Sequence, residues 1–132
     1  QSPNGGERVK PGATVTIVGS VVRVPELQLD AVTGLAGSGP AYVFLVAEAR
    51  SDAGVLNGLS RATSEALVAQ LLVGSAALLR ERGDAAALRA MVTSPGGTTA
   101  AGLKALEDHA VRAAFLDAVT AATRRSVELG TH

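Results

Sequence analysis

The sequence predicts an all-α fold. A short β segment at the N-terminus is followed by a bundle of closely packed helices, which associates with a second copy of the chain. The chain is 47% apolar but only 2% aromatic, so alanine, leucine and valine must build the core. Small side chains let helices approach closely, and alanine is the strongest helix former. After Pro25 apolar residues recur at helical spacing, and two of these helical stretches lack a polar face, which indicates burial on several sides.

The individual elements follow from local patterns. β-branched residues on both sides of Gly19-Ser20 predict two short strands, over 14–18 and 21–24, which could pair as a hairpin. Ser60 is the predicted cap of a long helix, and Pro40 stands in the first turn of another. Helical periodicity predicts six helices in all, over residues 27–35, 40–53, 61–82, 84–91, 98–108 and 110–129.

The change of pattern near Pro25 divides the chain into an N-terminal segment, 1–24, and a helical domain, 25–132. Residues 42–49, apart from Glu48, and the middle of the helix over 61–82 are apolar round most of the helix circumference, which is more apolar surface than one small bundle can cover. We therefore expect an obligate oligomer, with a homodimer as the default. Glu48 and Gln70 are polar groups in these helices. Internal hydrogen bonds or salt bridges across an interface explain them at least as well as catalysis does.

Composition and charge argue against several classes of function. Twelve basic and twelve acidic residues give a formal net charge of zero, so nothing attracts nucleic acid or an anionic membrane. The absence of cysteine excludes disulfides and thiolate catalysis and is compatible with a reducing cytoplasm. The longest apolar stretch, residues 66–79, is too short and interrupted to span a bilayer, and no signal peptide is visible. We expect a soluble cytoplasmic protein.

Residues 91–102, Met-Val-Thr-Ser-Pro-Gly-Gly-Thr-Thr-Ala-Ala-Gly, carry the strongest functional signal. The hydroxyl side chains of Ser94, Thr98 and Thr99 precede a predicted helix. The N–H groups and dipole of a helix N-terminus suit a carboxylate or phosphate, and adjacent glycines let the backbone approach a ligand. A Pro-Gly turn followed by a threonine N-cap explains the same residues without any ligand.

Other candidate groups carry less chemistry. The motif Gly-Ser-Gly-Pro at 37–40 resembles part of a dinucleotide loop, but Tyr42 stands where the fingerprint needs a third glycine, and no strand precedes it. His109 lies between two predicted helices with no second histidine at ligand spacing, which indicates an exposed helix end. His132 is the last residue. We predict no metal site.

Several segments occur together in one order along the chain. They are Val-Arg-Val-Pro-Glu at 22–26, Leu-Asp-Ala-Val-Thr at 29–33, Gly-Ser-Gly-Pro-Ala-Tyr at 37–42, Asp-Ala-Gly-Val at 52–55 with Gly-Leu at 58–59, Met-Val-Thr-Ser-Pro-Gly-Gly-Thr-Thr at 91–99 and Gly-Leu-Lys-Ala-Leu-Glu at 102–107. In these segments the chain resembles the C-terminal part of pyrroline-5-carboxylate reductase, the NAD(P)H-dependent enzyme that completes proline biosynthesis.

The resemblance implies that residues 26–132 form a helical dimerisation domain whose helices interleave between two subunits. It implies a homodimer, with rings of dimers as the larger alternative. It places the substrate carboxylate on the 94–99 loop and the nicotinamide against the start of a helix. The implied carboxylate contacts are Ser94, Gly97 and Thr98, with Thr99 bonding the ring nitrogen, Val92 bordering the pocket, and Gly39, Pro40 and Ala41 on the cofactor side.

The reaction implied by the resemblance is hydride transfer from NADPH or NADH to the C=N carbon of Δ1-pyrroline-5-carboxylate, giving L-proline. The cofactor carries the chemistry, and the protein holds the imine over the nicotinamide. Thr99 would orient the substrate rather than act as a strong acid.

Two alternatives stay open. The chain could be an isolated, non-catalytic helical dimerisation module. It could also be the helical domain of another hydroxy-acid dehydrogenase, although those enzymes use a helix-borne lysine in place of the Ser-Pro-Gly-Gly-Thr-Thr block. Family members also carry an N-terminal Rossmann domain, of which residues 1–24 resemble only a remnant, unless they are engineered sequence. We expect this chain alone to bind no dinucleotide tightly and to turn over nothing.

Overall fold

The computed structural model describes residues 14–17 and 20–130. The chain divides into two compact units, one formed by Gln1–Tyr42 with Arg112–His132 and the other by Val43–Val111. Helices make up most of both units, as the all-α prediction requires. Residues 1–13, 18, 19, 131 and 132 lie outside the described residues. They include the first half of the predicted N-terminal segment, the last residue of its first predicted strand, and His132.

The β-branched segment forms a two-stranded antiparallel hairpin. Strand β1, Thr14–Ile17, pairs with strand β2, Ser20–Arg23, so that Thr14 faces Arg23 and Ile17 faces Ser20. Ser20 therefore begins the second strand instead of belonging to the connection. An isolated pair of four-residue strands has little stability of its own in water.

A continuous helical run follows the hairpin, but its pitch changes twice. It begins as a 3₁₀ turn, Glu26–Gln28, continues as α1, Leu29–Val32, and ends in a π turn, Thr33–Gly37. The N–H of Ser38 donates to the carbonyl of Thr33, five residues back, at 2.9 Å, which closes the wide turn. The sequence predicts one uniform helix here, because periodicity does not distinguish these pitches over so short a run.

The π turn packs against the last helix, α6, Val111–Gly130. Gly34 is buried there, and a Cβ on it would stand 2.9 Å from both the Val119 carbonyl oxygen and the Thr123 amide nitrogen. One turn earlier, the Ser126 hydroxyl donates to a carboxylate oxygen of Asp30 at 2.6 Å. The close backbone approach requires glycine at position 34, because any side chain would collide with α6.

Four further helices follow, with bounds close to those predicted: α2, Gly39–Leu56; α3, Arg61–Arg82; α4, Ala85–Met91; and α5, Thr98–Asp108. Helix α2 extends three residues beyond the predicted end because Leu59 N–H donates to the Gly54 carbonyl at 3.0 Å and Gly58 turns the chain at φ +96°. Ser60 caps α3 as predicted, accepting from the Thr63 N–H at 3.1 Å.

Helices α2 and α3 are joined at one buried point. The Ser64 hydroxyl donates to the Ser51 carbonyl at 2.8 Å, and Gly54 leaves the room that this approach needs. Val68 lies one turn further along α3, and among residues 21–130, whose side chains the structure describes, it is the one hydrophobic residue that is buried. A single chain therefore has almost no apolar core of its own.

Large apolar side chains instead face outward on several helices. Phe44 and Leu45 on α2 are 68% and 64% exposed, Val73 on α3 is 66% exposed, and Leu116 on α6 is 70% exposed. Exposed apolar side chains in this number favour cover by another molecule. The observation agrees with the prediction that α2 and α3 have more apolar surface than their own chain can bury.

The prediction that the apolar stretch over 66–79 is too short and interrupted to span a bilayer is wrong about the helix that contains it. Residues 66–79 lie inside the 22-residue helix Arg61–Arg82, and by length and composition alone this helix and the segment Glu26–Leu56 could cross a membrane. Core helices of water-soluble proteins meet the same test of length and composition.

Candidate functional site

The site predicted from the Ser-Pro-Gly-Gly-Thr-Thr block lies where α4 gives way to α5, within the unit Val43–Val111. Helix α4 ends at Met91, and Val92, 58% exposed, leaves the helical conformation. Thr93 closes the end of α4: its hydroxyl donates to the Arg89 carbonyl at 2.6 Å and its N–H to the Ala90 carbonyl at 3.1 Å. The start of the loop is thereby held against the end of the helix.

The next four residues form a tight turn. The N–H of Gly97 donates to the carbonyl of Ser94 at 3.1 Å, with Pro95 and Gly96 between them. Gly96 has φ +68°, a conformation that a residue with a side chain adopts only at a cost, and proline before it fixes the preceding φ. The Pro-Gly pair therefore sets the path of the chain into α5.

Gly97 is the N-cap of α5, so the alternative of a threonine cap is wrong. Its φ and ψ are −78° and 172°, and its carbonyl accepts from Ala101 N–H at 3.2 Å. Because glycine has no side chain, the cap contributes no side-chain hydrogen bond. The turn forces this outcome because it holds Gly97 extended and brings Thr98 directly into the helix. The N–H groups at the start of α5 are consequently left without a side-chain acceptor.

Three hydroxyl groups surround this helix end. Ser94 and Thr98 are exposed and Thr99 is half-buried. Within the part of the chain that the structure describes, none of the three hydroxyls makes a hydrogen bond. A Cβ on Gly97 would collide with the Ser94 hydroxyl oxygen, so that hydroxyl lies directly over the glycine. The structure thus brings Ser94, Gly97, Thr98 and Thr99 together.

The electrostatic character of this cluster is simple. Residues 91–103 include no charged side chain, so the helix dipole of α5 and its N–H groups are the principal local source of positive potential. Hydroxyls can donate to a carboxylate and can also accept from a protonated nitrogen. The arrangement can therefore hold a small anion that has a second polar atom nearby.

The residues predicted on the cofactor side belong to the other unit, Gln1–Tyr42 with Arg112–His132. Gly39 and Pro40 open the first turn of α2, and Ala41 N–H donates to the Ser38 carbonyl at 3.1 Å. A Cβ on Gly39 would meet nothing within 4 Å, and Pro40 and Ala41 are exposed. These small residues form an accessible surface without charge.

The remaining candidates are separate from the cluster. His109 is exposed and ends α5, where its N–H donates to the Ala105 carbonyl at 3.2 Å, as predicted for a helix end. Glu48 and Gln70 are exposed on α2 and α3. A search of the described residues finds no group of three or more histidine, cysteine, aspartate or glutamate side chains that could hold a metal ion.

Sequence reasoning gave Thr93 no role, although it lies inside the 91–102 stretch. The signal was available: a threonine four residues after Arg89, at the end of a short helix, can bond back to the carbonyl one turn earlier. Its hydroxyl is the one side-chain hydrogen-bonding group between residues 92 and 97 that has a partner within the described chain.

Comparison with known proteins identifies a family. Residues 26–129 match the family model described as pyrroline-5-carboxylate reductase dimerisation. The chain is 52% identical over 122 residues to the pyrroline-5-carboxylate reductase of Synechocystis sp. and 50% identical over 114 residues to that of Methanosarcina acetivorans. These alignments cover 92% and 86% of this chain but 46% and 42% of the relatives, so the chain spans about half of their length.

Solved structures of pyrroline-5-carboxylate reductases are also similar to this chain. A Plasmodium falciparum pyrroline carboxylate reductase with NADP bound superposes with a TM-score of 0.78 at 40% identity, over 81% of this chain and 44% of that protein. A Streptococcus pyogenes 1-pyrroline-5-carboxylate reductase gives a TM-score of 0.79 at 36% identity, over 82% of this chain and 42% of that one. The chain belongs to the pyrroline-5-carboxylate reductase dimerisation family.

Proposed function

We propose that the chain supplies the dimerisation and substrate-binding part of a pyrroline-5-carboxylate reductase. The enzyme would reduce Δ1-pyrroline-5-carboxylate to L-proline with NADPH or NADH, as the last step of proline biosynthesis. The observation that carries this proposal is the start of α5, a helix end without a side-chain cap beside three hydroxyls that have no partner in the described chain. Such a helix end complements a carboxylate.

The substrate carboxylate would be held at the N-terminus of α5. The hydroxyl of Ser94, together with the hydroxyl and backbone N–H of Thr98, would donate to its oxygens. The N–H of Gly97 already donates to the Ser94 carbonyl, so Gly97 would contribute by lacking a side chain. Val92, exposed at the end of α4, would border the apolar side of the ring.

Thr99 would orient the reacting end of the substrate. It lies one position into α5 after Thr98 and is half-buried, which limits how far its hydroxyl can move. A hydroxyl at this place can hold the ring nitrogen while the carboxylate is held at the helix end, and two contacts fix the orientation of a small ring. A precise orientation of the C=N carbon is what a hydride acceptor requires.

NADPH or NADH would supply the hydride when bound. The accessible, uncharged first turn of α2, with open space at Gly39, fits the flat face of a nicotinamide ring but offers nothing for the phosphates of the dinucleotide. We propose that Gly39, Pro40 and Ala41 contact the nicotinamide and that other residues of the complete enzyme hold the rest of the cofactor.

The partner proposed for the apolar helix faces is a second copy of the chain. The exposed side chains of α2 and α3, such as Phe44 and Val73, need a cover that is apolar and matched in shape, and a symmetric pair provides one. Lipid and nucleic acid are not proposed as partners: Arg61 and Asp52 form an exposed ion pair between α3 and α2, and the net charge is zero. The proposed compartment is the cytoplasm.

The test uses the complete natural chain that contains these residues, with two substrates. One is Δ1-pyrroline-5-carboxylate, and the other is 1-pyrroline, the same cyclic imine without the carboxylate. Ser94→Ala and Thr99→Ala should each lose roughly 1–3 kcal/mol of transition-state stabilisation on the carboxylate substrate, measured as kcat/KM. Ser94→Ala should leave kcat/KM on 1-pyrroline unchanged, whereas Thr99→Ala should lower it on both.

Thr99→Ser, which keeps the hydroxyl, serves as the control. Equal kcat/KM for Ser94→Ala and the unchanged enzyme on both imines would remove the loop from the site. An enzyme that forms its oligomer but reduces neither imine would favour the alternative of a non-catalytic dimerisation module.

A further inference from the structure

We infer that Thr93 is a positioning residue for the proposed carboxylate site, because its hydroxyl ties the turn over residues 94–97, the Ser94 turn, to the end of α4. The inference rests on the proposed function, since it concerns the same loop. Thr93 faces α4 rather than the start of α5: both of its hydrogen bonds go to α4 carbonyls, those of Arg89 and Ala90. It would act on the substrate only through Ser94.

Helix α4 is held in place at both of its ends. This helix has seven residues and is fixed at its start by Asp84, whose carboxylate accepts from the N–H groups of Ala86 and Ala87 at 2.9 Å each. The carbonyls of its last turn have no partner further along the helix. The Thr93 hydroxyl satisfies one of them with a 2.6 Å bond, so both ends of α4 are held by side chains.

Backbone hydrogen bonds continue from the residue after Thr93 into α5. The Ser94 carbonyl accepts from Gly97 N–H at 3.1 Å, and the Gly97 carbonyl accepts from Ala101 N–H at 3.2 Å. Together with the covalent backbone between Thr93 and Ser94, these bonds connect the last turn of α4 to the first turn of α5. The Thr93 hydroxyl is the only side-chain link in this series among the described residues.

The position of the Ser94 side chain depends on this link. Its hydroxyl has no hydrogen bond of its own in the described chain and is exposed, so its direction depends on the backbone beneath it. Without the Thr93 hydroxyl, the Ser94 turn keeps its internal bond but loses a tie to α4. The Ser94 end of the turn is then held less firmly than its Gly97 end, which stays bonded to α5, and the carboxylate contacts made by Ser94 and Thr98 no longer hold one geometry.

The experiment compares Thr93→Val, which keeps the shape but removes the hydroxyl, with Thr93→Ser, which keeps the hydroxyl, in the complete natural chain. We expect Thr93→Val to raise KM for Δ1-pyrroline-5-carboxylate about fivefold, the effect of losing one ordinary hydrogen bond. KM for NADPH and KM for 1-pyrroline should stay unchanged. Thr93→Ser should restore the KM for Δ1-pyrroline-5-carboxylate to that of the unchanged enzyme.

Three results would overturn the inference: an unchanged KM for Δ1-pyrroline-5-carboxylate in Thr93→Val, an equal rise in the KM of all three substrates, or a failure of Thr93→Ser to restore it. Circular dichroism and sizing check that each variant is folded, and Thr93→Ala replaces Thr93→Val if valine prevents folding. An unchanged enzyme that reduces neither imine would instead contradict the proposed function, and the two failures are thereby distinguished.

Discussion

The residue at position 97 is a glycine, and the absence of a side chain there determines the geometry of the proposed site. Gly97 ends the Pro-Gly turn, caps α5 and lies beneath the Ser94 hydroxyl. The sequence places Gly97 and the three hydroxyls in one segment because they are neighbours along the chain. It does not choose between Gly97 and a threonine as the N-cap, because that choice depends on the backbone angles that the turn imposes.

Gly97→Ala should therefore impair the site more than it impairs the fold. The new Cβ would collide with the Ser94 hydroxyl oxygen and stand 3.2 Å from the Ser94 carbonyl oxygen, so the Ser94 side chain must move. We expect kcat/KM for Δ1-pyrroline-5-carboxylate to fall about tenfold, which corresponds to about 1.4 kcal/mol.

Gly102→Ala in the same helix is the matched control. A Cβ there would meet nothing within 4 Å, and alanine is favoured over glycine inside a helix by about 0.5–1 kcal/mol. This variant should keep its activity and gain thermal stability. Equal activity in Gly97→Ala and Gly102→Ala would show that the space above Gly97 has no part in substrate binding.

At the scale of elements, the helices were predictable and their changes of pitch were not. Ser60 and Asp84 cap α3 and α4 as local rules require, since an N-cap needs only residues a few positions away. The π turn Thr33–Gly37 and the burial of Gly34 depend on α6, which follows about 80 residues later. Sequence periodicity contains no information about such a distant neighbour.

Gly34→Ala tests the contact between the π turn and α6. Its Cβ would stand 2.9 Å from two backbone atoms of α6, and backbone cannot rotate away as a side chain can. We expect a loss of about 1–3 kcal/mol in the free energy of unfolding, the usual cost of overpacking, measured by urea denaturation at fixed protein concentration.

Gly37→Ala provides the comparison within the same turn. Its nearest neighbour would be Cγ2 of Thr33 at 3.6 Å, an ordinary contact. A loss as large in Gly37→Ala as in Gly34→Ala would mean that the π conformation, and not the approach of α6, limits the residue at position 34.

At the scale of the whole molecule, the exposed apolar surface requires a second chain. One buried hydrophobic residue among those whose side chains are described cannot offset the conformational entropy lost on folding. Stability must therefore come from association, and it should depend on protein concentration.

We expect light scattering to give a dimer or a larger assembly, and the Tm to rise with protein concentration. Phe44→Glu, which places a charge on the exposed apolar face of α2, should lower the Tm and shift the assembly toward smaller species. Arg82→Gln, at the exposed end of α3, should change neither. A monodisperse monomer with a concentration-independent Tm would contradict the proposal, as would partition of the unchanged protein into lipid vesicles.

The sequence by itself determined the helical class, the cap of α3, the grouping of Ser94, Thr98 and Thr99, and the need for a partner. All of these follow from composition or from residues close together along the chain. The tertiary structure decided the glycine cap of α5, the use of the Gly97 N–H within its own turn, the link between Thr93 and α4, and the burial of Gly34. Those features depend on backbone angles and on contacts between distant segments, which only the folded chain specifies.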